Sequence, residues 1–489
     1  MIRRLVAEGA LSASFIPIFS AQLRDRSSSE AWAFAQKVFW DVALALAAVA
    51  VLGVVFSRQV VHLFTMFGGS RAHWELAVSL NRIVFPCVFL LGLAAVATAI
   101  LNSFHVFGLP AWTSVFFNVV VIVMSVATVY QPVLRRLPQG FRTPAVALAI
   151  GILCGAAVQL AMQIPSLAGR GMRFLPKVSF SDPGVRKFGA LMGPSFLGIG
   201  VYEINRVVDM VFATHWRMPS GSVASLYLAD RIVQLVLGSY AIAMATALLP
   251  AMSQQFAAGN YEEMKRMFAF ALRVVLFIAV PAAVGLILLR RPIVQALFQH
   301  GEFVAESTAL TARALLYYAL GLPAFAAIKL VTPMYYSAQD TMTPARVGAW
   351  ALAVNVALNV ACLFFFFRRL SNGSPALASS LAAYFNFALL FILFRRRFGR
   401  LGGRRIVKSL VRIAACAAGM AAVAGAGLSF LRLAEGRGAL SGIGALAAVM
   451  VVSIGVYFGS AWALRCEELS ELFLVLRRPE PAAASAAVE

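Results

Sequence analysis

Three charged residues, Glu203, Arg206 and Asp209, lie inside one long apolar segment of this 489-residue chain. They follow one another at steps of three residues, so an α-helix would place them along one side. A charged side chain near the centre of a lipid bilayer costs about 2.5 to 3.5 kcal/mol on insertion scales, so it is expected to face a cavity or to pair with another charge. The spacing predicts a polar helix face, and an internal ion pair between Glu203 and Arg206 is the simpler alternative.

Other apolar segments also carry charges, and most of these are cationic: Arg3, Arg4, Glu8, Asp230, Arg231 and Lys329. Asp230 and Arg231 are neighbours in sequence, and neighbours do not face each other on a helix, so a simple ion pair between them is not expected. Asn355 and Asn359 lie four residues apart in a further apolar segment. They predict a hydrogen-bonding stripe that contacts either another helix or a ligand.

The composition excludes a soluble globular protein. Hydrophobic residues make up 61% of the chain and charged residues 13%, and apolar runs of 18 or more residues recur along it. The formal net charge of +22 comes from Lys and Arg scattered at the ends of these runs. That placement is typical of residues that set membrane topology and not of a nucleic-acid interface. The sequence therefore predicts an all-α polytopic membrane protein without a nucleic-acid partner.

Twelve segments are long enough to cross a bilayer as helices. We place them near residues 38–56, 77–101, 110–130, 144–166, 188–213, 223–249, 267–289, 310–335, 345–367, 375–394, 406–430 and 439–464. The connecting segments 168–187 and 395–412 are rich in Lys and Arg, and the positive-inside rule places such loops in the cytoplasm. The C-terminus is then predicted to be cytoplasmic as well.

The chain also repeats itself once. Pro17 recurs as Pro250 at an offset of 233 residues. Pro110 recurs as Pro344 at an offset of 234 residues. Self-similarity at such a long period in an apolar chain is typical of a transporter built from two similar helical bundles around a central site. Sixteen residues precede Pro17, whereas about sixty precede Pro250 in the second copy, so the first bundle is expected to lack its beginning.

We therefore expect two similar six-helix lobes, the first N-terminally truncated, plus two C-terminal helices. The sequence predicts an incomplete N-terminal lobe at residues 1–168, a cytoplasmic linker at 169–187, a C-terminal lobe at 188–395, an extra helix pair at 396–466 and a cytoplasmic tail at 467–489. The extra pair is rich in Ala and Gly, and small residues allow helices to approach closely. We expect this pair to pack outside the two lobes and to form a groove for a lipid tail.

The sequence contains no motif of an enzyme. Its five His and five Cys have no spacing typical of a metal site or a disulfide framework. A P-loop, a dinucleotide fingerprint and a Gly-x-Ser-x-Gly motif are absent from the sequence. We therefore expect no catalytic activity, no cofactor and no metal. An ion gradient, the membrane potential or the substrate gradient would drive transport.

Five short stretches, in one order over essentially the whole chain, resemble the MurJ (MviN) lipid II flippase family. That family belongs to the multidrug/oligosaccharidyl-lipid/polysaccharide exporter superfamily. The stretches are Arg3–Ser12, Tyr227–Arg231, Leu248–Pro250, Leu297–Phe303 and Tyr336–Pro344. The resemblance implies alternating-access transport of lipid II, an undecaprenyl-diphosphate-linked disaccharide peptide. It also implies that one and a half helices are missing before the first residue, and a translation start further upstream is expected.

The resemblance implies roles for the charged residues. Arginine offers a planar fork of donors that suits a diphosphate, so the implied substrate-binding cations are Arg3, Arg4, Arg206, Arg231 and Lys329. Their implied gating or charge partners are Glu8, Glu203, Asp209 and Asp230. The implied location is the bacterial cytoplasmic (inner) membrane. The implied partners are lipid II, membrane lipids and the cell-wall synthesis machinery.

Three alternatives stay open at this point. A drug/cation antiporter of the same superfamily would need an acidic, aromatic-lined cavity, whereas the charges in the apolar segments are mostly cationic. A polysaccharide-lipid exporter would share the superfamily and its general mechanism. The third alternative is an inactive, truncated form of a flippase.

Overall fold

The computed structural model describes residues 15, 18, 19, 22, 23, 28–65, 71–104, 106–129, 143–179, 181–338, 340, 342–399, 401–435 and 439–469. Within these residues every regular element is a helix, and no strand is present. Eleven helical segments of this described part are long and apolar enough to cross a membrane. The predicted fold class, an all-α polytopic membrane protein, is confirmed.

The helices are numbered here in chain order: α1 (Ser28–Val55), α2 (Ser57–Thr65), α3 (Arg71–Val84), α4 (Cys87–Ser103), α5 (Gly108–Val129), α6 (Pro144–Ala161), α7 (Ile164–Ala168), α8 (Pro183–Ala213), α9 (Ser222–Ala257), α10 (Tyr261–Phe298), α11 (Ala305–Ser337), α12 (Met342–Phe365), α13 (Phe367–Leu370), α14 (Ser374–Phe398), α15 (Gly403–Glu435) and α16 (Ala439–Ala463). Each predicted span overlaps one long helix or, for 77–101, the pair α3 and α4. Span 188–213 lies within α8, which is not among the eleven membrane candidates.

Helix α10 extends beyond its predicted apolar span because its N-terminus is capped. Helix α10 begins at Tyr261, six residues before the predicted span at 267. The side chain of Asn260 accepts a hydrogen bond from the backbone N–H of Glu263, and two glutamates stand in the first turn. A capping side chain and acidic residues at a helix N-terminus both stabilise a start there. Hydropathy alone does not detect this polar first turn.

Internal packing divides the chain into two compact units: unit 1 comprises residues 1–207 and 214–216, and unit 2 comprises residues 208–213 and 217–489. In unit 1, Trp32 of α1 stacks on Phe104 with ring centroids 5.2 Å apart. Phe39 of α1 contacts Phe174, which lies in the segment after α7. This packing holds the segment between α7 and α8 against α1. The lobe boundaries inferred from the repeat remain a prediction.

In unit 2, the core is formed by α9, α10, α11 and α14. The buried Tyr335 of α11 donates a hydrogen bond to the carbonyl oxygen of Leu390 in α14 at 2.7 Å. The C-terminal helices pack against α10, where the Tyr457 hydroxyl donates to the carbonyl oxygen of Phe277 at 2.6 Å. Arg273 of α10 pairs with Glu468, which lies beyond the end of α16. The C-terminal pair is therefore anchored to α10 by both apolar and polar contacts.

Candidate functional site

The predicted site residues fall in three of the described helices, apart from Arg3, Arg4 and Glu8, which lie outside the described residues. Helix α8 contains Glu203, Arg206 and Asp209, and α9 contains the Asp230-Arg231 pair. Lys329 lies in α11, where it is half-buried, and α11 packs on both α9 and α10. The sites in the two units are described separately below.

In unit 1, Glu203 and Arg206 form the ion pair that was the simpler alternative. The Arg206 Nη1 atom lies 3.9 Å from Glu203 Oε1. The Glu203 side chain is 6% exposed and that of Arg206 is 17% exposed. This separation is at the long end for a salt bridge. Both side chains also take part in further interactions.

In unit 2, Asp209 is buried and hydrogen-bonded on both carboxylate oxygens. Oδ1 accepts from the side-chain amides of Asn355 at 3.2 Å and Asn359 at 3.1 Å. Oδ2 accepts from the hydroxyl of Ser379 in α14. We call these four residues the Asp209 cluster. Its donors are all neutral, and Asp230 of α9 lies near enough for its charge to act on Asp209.

The sequence predicted that the stripe of Asn355 and Asn359 contacts either another helix or a ligand, and the Asp209 cluster confirms the contact with a helix. The stripe of Asn355 and Asn359 does contact another helix, and the residue that it contacts is the buried aspartate of α8. Asn359 also donates to Asn355 Oδ1 at 3.1 Å, so both amides are fixed in orientation. Ser379 was missed by the sequence analysis. A single serine in an apolar segment carries no periodic signal, because serine is common at interhelical contacts without any function.

Also in unit 2, Arg231 is exposed and is oriented by a tyrosine one helical turn away. Its Nε and Nη2 atoms donate to the Tyr227 hydroxyl at 3.1 and 2.8 Å. The guanidinium carbon lies 5.1 Å from the centre of the Tyr227 ring, within the range of a cation–π contact. Nη1 makes no hydrogen bond to the residues that the structure describes. The edge of the guanidinium that includes Nη1 is therefore open to an external acceptor.

Asp230 has a different partner from Arg231, as their adjacency predicts. Its Oδ1 atom accepts a hydrogen bond from the side-chain amide of Gln234 at 3.4 Å. Tyr227 and Gln234 therefore each orient one member of the charged pair. Together the four side chains form a polar surface on a helix that is otherwise long and apolar.

An apolar cavity of about 330 Å³ lies between α10 and the two C-terminal helices. Its lining includes Phe277 and Pro281 from α10, Met420 from α15, and Ile454 and Tyr457 from α16. The polar hydroxyl of Tyr457 is already engaged by the Phe277 carbonyl oxygen. The lining also includes the Ser453 hydroxyl and is otherwise mostly apolar, and the lipid-tail groove beside the extra helix pair stays a prediction.

A bundle of long apolar helices that also carries acidic and basic side chains is the architecture of a polytopic membrane transporter. The chain belongs to the lipid II flippase MurJ family, because the family described as "Lipid II flippase MurJ" matches residues 1–437.

Individual relatives agree with this assignment. A Vibrio cholerae serotype O1 protein named "Probable lipid II flippase MurJ" is 33% identical over 398 residues, covering 80% of this chain and 73% of the relative. A Rhizobium tropici protein of the same name is 30% identical over 499 residues, covering 99% of this chain and 89% of the relative. A solved structure titled "Lipid II flippase MurJ, inward closed conformation" superposes with a TM-score of 0.74 at 24% identity, covering 98% of this chain and 90% of that structure's chain. The fold is thus shared with a member of the family.

Proposed function

We propose that this protein moves lipid II, an undecaprenyl-diphosphate-linked disaccharide peptide, across the bacterial cytoplasmic membrane by alternating access. Family membership supports the substrate class. The observation that carries the proposal is the geometry of Arg231, an exposed guanidinium on an apolar helix that is held by Tyr227 with one edge open. An arginine in that state offers parallel donors to a diphosphate, which has many acceptor oxygens.

In this proposal the remaining charged residues complete a cationic site and its counter-charges. The further substrate-binding cations are Arg3, Arg4, Arg206 and Lys329. The charge partners are Glu8, Glu203, Asp209 and Asp230. Arg206 lies one helical turn from Glu203 on α8, and its guanidinium would be shared between that carboxylate and the diphosphate.

The apolar cavity beside α10 would hold part of the polyprenyl tail while the sugar and peptide occupy a hydrated cavity. Its lining is apolar apart from the Tyr457 hydroxyl, which is internally bonded, and the Ser453 hydroxyl. Rocking of two helical bundles would then expose the head group to the other side of the membrane. The protein acts as a carrier and not as an enzyme, its C-terminus lies in the cytoplasm, and it works beside the cell-wall synthesis machinery.

Complementation tests this proposal directly. The chain is expressed in a bacterium whose own lipid II flippase is under depletion, with a membrane blot to verify expression. We expect growth and normal cell shape to be restored. Lysis of depleted cells that carry the correctly inserted protein would contradict the proposal. Restored export of an unrelated cationic drug without rescue would favour the antiporter alternative instead.

A further inference from the structure

In unit 1, an apolar groove of about 350 Å³ lies between α1 and the junction of α3 and α4. It is lined on one side by Ala50, Val51 and Val54 and on the other by Pro86 and Phe89, and none of its lining residues is polar. Val51 is 60% exposed, so the groove opens to the surroundings of the helix bundle. In a membrane protein those surroundings are hydrocarbon chains.

A polar boundary formed by Gly53, Ser57 and Asn81 lies next to the groove residues of α1 and of the junction of α3 and α4. The side-chain amide of Asn81 donates to Ser57 Oγ at 3.0 Å and to the carbonyl oxygen of Gly53 at 3.3 Å. These bonds tie α3 to the junction of α1 and α2. A Cβ at Gly53 would lie 1.9 Å from the Phe85 ring, so a larger residue there would force this ring to move. The geometry of the groove is therefore fixed by packing and by hydrogen bonds.

Two arginines stand beside this boundary, each one helical turn from a residue that lines the groove. Arg58 is four residues after Val54, and backbone hydrogen bonds continue from α1 into α2 through Phe56. Arg82 is four residues before Pro86, and Phe85 N still donates to the carbonyl oxygen of Asn81 at 2.8 Å. Residues four apart lie on the same helix face, so each arginine continues the row of residues that lines the groove.

Both arginines are exposed, and neither has an ion pair or hydrogen bond among the residues that the structure describes. The sequence from 57 to 84 contains three arginines and one acidic residue, Glu75. An apolar groove beside two unpaired cations matches the chemistry of a lipid with an anionic head group. Its acyl chain would lie in the groove and its phosphate would contact the arginines.

We infer that this groove and the Arg58–Arg82 pair form a binding site for an anionic glycerophospholipid, separate from the transport site. The transported substrate is a poor fit, because its sugar and peptide need polar contacts and the groove lining offers none. A zwitterionic lipid would fit the groove but would gain less from two cations. The site depends on membrane embedding and not on the transport proposal.

Native mass spectrometry of the purified full-length chain tests this inference. The probes are phosphatidylglycerol and phosphatidylcholine with identical acyl chains. We expect phosphatidylglycerol to bind more tightly, and the double variant Arg58→Ala/Arg82→Ala to weaken it by about tenfold to thirtyfold, the effect of two cations beside a lipid head group. The matched control Arg368→Ala/Arg369→Ala removes two exposed arginines from α13 and should bind like the unchanged protein.

A second pair of variants tests the groove itself. Val51→Trp fills the groove, whereas Leu52→Trp changes an exposed neighbour that does not line it. We expect loss of tight phosphatidylglycerol binding only in Val51→Trp, with both proteins eluting as single species on size exclusion. Equal binding of the two lipids, or an undiminished preference in the Arg58/Arg82 variant, would overturn the inference. Displacement of phosphatidylglycerol by equimolar undecaprenyl phosphate would overturn it as well, by assigning the groove to prenyl lipids.

Discussion

At the scale of single residues, Arg231 and Tyr227 form the smallest arrangement with a clear chemical use. An arginine side chain has several rotatable bonds, and ordering it for a ligand costs conformational entropy. The Tyr227 hydroxyl accepts from two of its nitrogens and therefore fixes the guanidinium before any ligand arrives. Helix periodicity alone brings residues four apart onto one face, but the two hydrogen bonds between them needed the structure.

Arg231→Ala should abolish lipid II transport, and Arg231→Lys should restore it only in part, because an ammonium keeps the charge but loses the planar fork. Tyr227→Phe, which keeps the ring and removes the acceptor, should reduce transport less than Arg231→Ala does. The measurement is complementation of a flippase-depleted bacterium, with a membrane blot for each variant. Normal growth with Arg231→Ala would contradict the assignment, and equal growth with Lys and Arg would show that charge alone suffices.

The Asp209 cluster shows what residue spacing predicts and what it leaves open. On an ideal helix, each step of three residues falls about 60° short of a full turn. The angular positions of Glu203 and Asp209 around the axis of α8 therefore differ by about 120°. The sequence thus indicated a polar side of the helix. Which donors meet each carboxylate depends on neighbouring helices, and no pattern within α8 encodes the contact with Ser379.

Asp209→Leu should destabilise the protein, because it removes the acceptor that the buried amides of Asn355 and Asn359 share, and each amide then keeps only its second partner. An unsatisfied buried polar group costs about 1 to 3 kcal/mol. Asp209→Asn keeps one carbonyl oxygen as an acceptor and should cost less. Thermal unfolding of the purified variants in detergent, followed by tryptophan fluorescence, measures the difference. If Asp209→Leu melted at the temperature of the unchanged protein, the cluster would have no role in stability.

At the scale of elements, Asp182 joins the segment before α8 to α1. Its Oδ2 atom lies 2.6 Å from Lys37 Nζ, and its Oδ1 atom accepts from the backbone N–H of Gly184 at 2.8 Å. The hydrogen bond from Lys37 is the main reason that the pKa of Asp182 lies below its ordinary value, although burial acts in the opposite direction. Asp182 therefore both caps α8 and fixes where the helix begins relative to α1.

The lowered pKa of Asp182 predicts a pH-dependent contribution to stability. That contribution is fully present above the ordinary aspartate pKa of about 3.9 and is lost as the pH falls through the lower folded-state value. Asp182→Asn should therefore lower the melting temperature at pH 7, by an amount typical of a partly exposed pair worth about 0.2 to 1 kcal/mol. The gap between the two proteins should close on acidification toward pH 3. A constant gap at every pH would rule out the ion pair as its cause.

The cavity beside α10 gives a second prediction at the scale of elements. Ile454 lines the cavity and Val452 does not, although both are exposed residues of α16. Ile454→Trp should fill the cavity and lower transport severalfold, and the matched variant Val452→Trp should leave it unchanged. Initial rates in vesicles containing each purified variant would be compared. Equal rates would show that the cavity does not hold the lipid tail during transport.

At the scale of the whole molecule, hydropathy located the spans well, because about 20 apolar residues are needed to cross a bilayer. It did not predict α2, a short helix that mixes apolar and polar residues and has no span-length apolar run. It also placed the start of span 77–101 within α3, whose first turn is polar. Long apolar helices are thus encoded by composition, whereas short helices beside them depend on packing with neighbours.

The position of the C-terminal helices also needed the structure. Their small residues predicted close packing but not the helix against which they pack. Helix α10 is identified by specific pairs, the Tyr457 hydroxyl with Phe277 and Arg273 with Glu468. These pairs join residues almost two hundred positions apart, and such contacts leave no local signal in the sequence.

Transport of lipid II in a purified system tests the central claim most directly. The full-length chain is reconstituted into vesicles that contain lipid II with a fluorescent group on its peptide, and a membrane-impermeant reductant quenches the label that reaches the outer leaflet. We predict quenching beyond that of protein-free vesicles, and its loss in vesicles that contain Arg231→Ala. Quenching equal to that of protein-free vesicles, from protein that is folded and inserted, would contradict the account.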